Sequence, residues 1–210
     1  MPPSDNNVIA EPIQAISAAT SEVNAQNHMF RSLASNMATA TLVLVKAVRP
    51  GGISGASFVD VQPMVAQMDG AGNTVPHGII NNLPVFRLQS GGNAVVLDPA
   101  VGDIGIAVFA SRDISAVKES RRPAQPGSAR RFDMADGLYI GGVLNGAATQ
   151  YVEFVASGGI NIVSTAGVNI TASGAVAITS SSLTHNGKNV GDTHVHGGIV
   201  VGGANTTGPV

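Results

Sequence analysis

From Gly159 onward, apolar and polar positions follow one fixed rule. Gly159-Ile160-Asn161-Ile162, Gly167-Val168-Asn169-Ile170 and Ala175-Val176-Ala177-Ile178 superimpose at an eight-residue offset, each followed closely by Ser and Thr. Self-similarity at one period marks a repeat architecture. Within each unit the apolar side chains alternate with period two, which predicts very short, half-buried strands. A single chain of such strands covers only one side of its apolar stripe, so the segment is not expected to be stable alone. Three copies wound about a common axis would bury the six β-branched side chains that each chain contributes and leave Asn, Ser and Thr outside. The winding would also remove the open strand edges. The competing reading is a low-complexity tail or an aggregation-prone strand segment. The strict register favours the wound prism.

Upstream the pattern changes. Thr41–Val45, Phe58–Val61, Leu83–Leu88, Ala94–Leu97 and Ile104–Phe109 are short apolar runs separated by Gly, Pro, Asn and Asp. Five strands with this punctuation predict a small barrel. Pro50-Gly51-Gly52, Asp69-Gly70-Ala71-Gly72-Asn73 and Gly91-Gly92-Asn93 are turn chemistry. They lack the strand-to-helix spacing of a phosphate-binding loop. Ahead of the barrel, Val23, Met29, Phe30, Leu33 and Met37 recur at near-helical spacing behind Ser21, a suitable cap. They predict one amphipathic helix that packs on the barrel, reaches a partner, or remains a loosely docked arm.

Composition narrows the chemistry. The chain has no Cys, which excludes disulfides, thiolate ligands and a cysteine nucleophile and leaves imidazole and carboxylate as metal-binding groups. Net charge is −2, and the barrel lacks a basic groove with aromatic platforms, so nucleic acid is not an expected partner. The one basic concentration, Lys118 to Arg131, reads as a solvated Pro/Gly-rich loop or as a site for an acidic partner. No stretch approaches the roughly 18 apolar residues of a membrane span. The N-terminus also lacks the pattern of a signal peptide, so assembly in a cytoplasm is expected.

Two histidines follow the repeat. In extended chain His194 and His196 project to one face while Val195 points to the other. Two imidazoles do not close a site, but three such pairs around a three-fold axis supply six nitrogen ligands, which suit an octahedral transition metal such as iron better than tetrahedral zinc. Asp192 is a candidate to orient a ligand imidazole. His28, His77 and His185 lie in unrelated segments, and no serine triad motif is present, so catalysis is not expected.

The stretch Leu183 to Gly198, with Asp192-Thr193-His194-Val195-His196-Gly197-Gly198 at its centre and Thr207-Gly208-Pro209-Val210 closing the chain, resembles the apex of the central spike (baseplate assembly protein V) family of contractile-tailed bacteriophages. Val59-Asp60-Val61-Gln62-Pro63, Asp98–Asp103, Val108–Asp113 and Arg131–Asp136 resemble the N-terminal barrel of the same spikes more loosely, so the likeness runs from about Thr41 onward.

The resemblance implies an all-β fold: an N-terminal oligonucleotide/oligosaccharide-binding (OB-fold) barrel, then a trimeric, intertwined triple-stranded β-helix with a metal-binding apex, with one N-terminal α-helix ahead of them. The expected division is an arm over 1–40, the barrel over 41–145, the shaft over 146–190 and the apex over 191–210. The resemblance also implies one iron ion per homotrimer, held by His194 and His196 of three chains. It implies a baseplate hub partner, a small tip protein, transient contact with the host outer membrane, and a place in the virion at the tip of the tail baseplate. The expected function is a non-enzymatic needle that pierces that membrane when the sheath contracts. The alternative is a binding module or receptor-binding fibre, and the short segment after His196 is small for a receptor-binding head.

Overall fold

The computed structural model describes residues 21–35, 37–191 and 193–195. The chain divides into two compact units, Met1–Ala147 and Ala148–Val210.

In the first unit, helix α1 spans Glu22–Ser35. Ser21 caps it as its sequence position predicts: the Ser21 hydroxyl accepts from the Asn24 amide at 3.2 Å and its carbonyl accepts from Ala25 N at 3.0 Å. Strands β1 (Ala40–Arg49) and β2 (Phe58–Pro63) follow, then a small hairpin of β3 (Gln67–Met68) and β4 (Thr74–Val75), then β5 (Ile80–Pro84). A second hairpin, β6 (Leu88–Ser90) with β7 (Asn93–Val95), leads to β8 (Ile104–Phe109). Helix α2 (Ser115–Ser120) and a 3₁₀ turn at Met134–Asp136 lie in the long connection to β9 (Gly137–Gly142).

Five of these strands form one antiparallel sheet in the order β5-β2-β1-β8-β9. Register shifts at Lys46, Asp60 and the β8–β9 pair increase local twist and curl the sheet into a half-barrel. Its two outer strands approach at a parallel bridge between Val85 and Tyr139, where Phe86 N donates to the Tyr139 carbonyl at 2.7 Å. Strict alternation along β2 and β8 sends one side inward, and Val43, Val45, Val59, Val61, Leu83, Ala107 and Tyr139 form the core. The Tyr139 ring lies against the backbone of Gly105, where any Cβ would overlap it.

Two strand expectations are corrected. Ala94–Leu97 does not enter the main sheet: it contributes to the exposed β6–β7 hairpin, and the fifth place is taken by β9. The run Leu83–Leu88 is split, because β5 ends at Pro84, which has no amide to continue a ladder.

In the second unit, β10 (Tyr151–Phe154) pairs with β11 (Ile160–Val163) as an antiparallel hairpin, and β12 (Thr184–His185) pairs with β13 (Lys188–Asn189). Of the three expected repeat strands, only the first is a strand. Among the described residues, 164–183 pair with no strand. No described strand lies beside them to supply the missing amides and carbonyls, which is the deficiency the repeat pattern implies for a lone chain.

Candidate functional site

The segment that carries the metal-binding expectation starts from a tight hairpin. Asn186 and Gly187 adopt positive φ of 49° and 74°, as the two central residues of a type I′ turn require, and His185 faces Lys188 across it. Val190 N donates to the Leu183 carbonyl at 2.8 Å, closing the hairpin's base. Asn189 then organises the exit: its carboxamide oxygen accepts from Gly191 N and its amide donates to Thr193 Oγ1, both at 2.8 Å.

This places His194, an exposed side chain, with Nδ1 2.6 Å from the Gly191 carbonyl oxygen. A carbonyl can only accept, so Nδ1 is the donor in this contact. In a neutral ring, that is the arrangement in which a histidine ligates through Nε2 with its ring held by the backbone. His194 therefore fits a role as metal ligand. His196 and Asp192 lie outside the described residues. Among the described residues no group of three or more His, Asp or Glu side chains stands close enough to hold a metal ion, so a closed coordination shell needs donors from beyond them.

The second notable surface is the repeat itself. In the β10–β11 hairpin, Val152 faces Ile162 and Phe154 faces Ile160, so all four side chains share one side, while Glu153 accepts from the Asn161 amide on the other at 2.9 Å. These four residues and Val168, Ile170, Val176 and Ile178 are each between 58% and 77% exposed. Isolated apolar side chains on a surface are ordinary. Eight in periodic register form an apolar stripe of the kind that marks interaction sites.

In the first unit, the long connection hides a charged cluster that the sequence pattern did not disclose. Asp136 is fully buried and Asp113 nearly so. The Arg130 guanidinium donates from Nε and Nη2 to the two Asp136 carboxylate oxygens at 3.0 Å each, and Nη2 lies 3.0 Å from Asp113. Asp136 also accepts from Ile114 N at 3.1 Å. Hydrogen bonds from the Ser115 and Ser128 side chains hold the Asp113 carboxyl well below the ordinary carboxylate range, with Arg130 adding to the effect. Asp136 in turn raises the Arg130 guanidinium further. The basic segment is thus not simply solvated: Arg130 turns inward to acids of its own chain and fastens the connection to β9. All three side chains have partners within the first unit.

A groove of about 330 Å³ lies beside the Val85–Tyr139 bridge, lined by Phe86, Leu88, Val95, Leu97 and Ile140. The Tyr139 hydroxyl is buried without a hydrogen-bond partner, and burial, reinforced by Asp103, pushes its ionisation up. It stays protonated at neutral pH and is no base.

No curated protein matches the chain. Residues 53–142, which contain β2 through β9 and hence four of the five strands of the curled sheet, match the family model described as Phage protein Gp138 N-terminal domain. That likeness supports a bacteriophage structural protein of the baseplate or tail.

Proposed function

We propose that this protein is the central spike of a contractile phage tail, a homotrimer at the tip of the baseplate whose shaft is a triple-stranded β-helix and whose OB-type barrel faces a hub protein. The observation that carries this reading is the exposed periodic stripe from Val152 to Ile178. It is apolar, β-branched at six repeat positions and free of Asp, Glu, Lys and Arg from Phe154 to Gly187. Burying one such side chain contributes about 1.5–3 kcal/mol, so three copies that cover each other's stripes gain far more than an isolated segment can.

The function is mechanical rather than catalytic. Interlocked strands without long charged side chains resist bending, and His194 with His196 from three chains would hold an iron ion at the pointed end. A bound metal supplies Lewis-acid cross-linking that ties the three ends together. The contact that holds His194 Nδ1 on the Gly191 carbonyl supports its place in that ligand set. A small tip protein beyond the apex and brief passage through the host outer membrane complete the reading. The match to a phage domain is consistent with a virion component.

Sedimentation equilibrium combined with elemental analysis tests it. The expected result is a trimer with one iron per three chains, and a His194→Ala/His196→Ala variant that remains trimeric but loses the metal. A monomer, or a tightly held zinc in each chain, overturns the proposal.

A further inference from the structure

Helix α1 presents an apolar seam that no other described residue buries. None of its residues is buried, and Val23, Met29, Phe30 and Leu33 are between 53% and 65% exposed. Their spacing is specific. Val23 and Phe30 stand seven residues apart, as do Gln26 and Leu33, and the two series interleave at alternating steps of three and four. Met37 continues the first series just past the helix end. This is the a/d pattern of a coiled coil, in which each side chain enters a hole on a copy of the same helix.

Two further observations favour copies of this chain as the occupant. An isolated helix of 14 residues is marginal in water, so a capped α1 with no buried side chain needs tertiary or quaternary cover. The a and d positions carry no charge, so symmetry-related copies meet without repulsion. Gln26 is the one polar residue on the seam.

We infer that three copies of α1 pack on one another as a short parallel coiled coil with Val23, Gln26, Phe30 and Leu33 at its axis. The inference rests on the trimer proposed above and adds a second clasp to it, built from helix rather than strand. Tethering through the rest of the trimer raises the local concentration of the helices, which lets a two-heptad seam associate.

The chain has no native Cys, so single cysteines report the packing directly. In the full chain, Leu33→Cys places a thiol on the seam and Arg31→Cys places one on the opposite side of the helix. Sedimentation of each reduced variant establishes the assembly first. The expected result is a trimer in both cases, with interchain disulfide forming in Leu33→Cys about tenfold faster or more than in Arg31→Cys under mild oxidation. Trimers in which both cysteines cross-link equally slowly overturn the inference while leaving the trimer standing. Monomeric reduced variants alongside a monomeric parent overturn both. Trimeric parent protein with a monomeric Leu33→Cys would place the clasp at the root of assembly and support the inference.

Discussion

The two units use the same residue types to opposite effect. In the first, Val43, Val45, Val59 and Val61 are almost wholly inaccessible, because neighbouring strands of one curled sheet turn them toward a common centre. In the second, Ile160, Ile162, Val168, Ile170, Val176 and Ile178 alternate just as regularly and stay in the open. Alternation alone therefore specifies which side of a strand is apolar. It does not specify whose apolar surface it will meet. The curled sheet answers that question within one chain by strand order; in the repeat no other described residue answers it.

The contrast can be broken most forcefully in the repeat. Ile162→Asp combined with Ile170→Asp would place two unpaired carboxylates per chain in the three-fold core proposed above, each costing several kcal/mol. The protein should then run as a monomer at micromolar concentration while its sheet signal from the barrel persists in circular dichroism. A variant that remains trimeric would show that the stripe is not the contact. Next in size is the reverse case: Leu83→Ala in the barrel core should lower stability by about 3 kcal/mol in urea titration. Leu83 is fully buried within its own chain, so the loss should not depend on protein concentration.

A subtler separation comes from pH. Asp113 ionises more readily folded than unfolded, and so do Asp60, through its hydrogen bond to Arg49, and Asp69, through Asn73. Groups of this kind contribute stability that is present above their unfolded value near 3.8 and lost as pH falls below it. The urea midpoint of the barrel should drop as pH is lowered from about 6 to about 3, and a Ser115→Ala/Ser128→Ala variant should show a smaller drop. The stripe has no Asp or Glu from Phe154 to Gly187 and should not share this dependence. Dissociation of the assembly over the same range, ahead of barrel unfolding, would contradict that separation.

How far the sequence discloses the structure follows the same division. Strands β1, β2 and β8 and helix α1 with its Ser21 cap are legible because their signals are local: alternation, turn residues and a capping hydroxyl. Strand β9 escaped because Gly137-Leu138-Tyr139-Ile140-Gly141-Gly142 begins and ends in glycine, and its place depends on a long connection. That connection is fastened by Arg130, Asp113 and Asp136, residues that look like ordinary surface charges until the chain brings them together. Ala94–Leu97 misled in the other direction, since it has strand chemistry but ends up in an exposed hairpin. At the candidate metal end, the motif was visible as spacing, whereas the backbone contact that holds the His194 ring depends on the preceding turn.

The bridge between Val85 and Tyr139 has a consequence for how the protein behaves in a crowded cell. A sheet that ends in free strands offers its unused amides and carbonyls to any passing polypeptide, which is how soluble β-proteins seed aggregates. Here Val85, one residue past β5, bridges to Tyr139 of β9, and Pro84 beside it has no amide to offer. The bridge thus blunts the sheet's edges at that point.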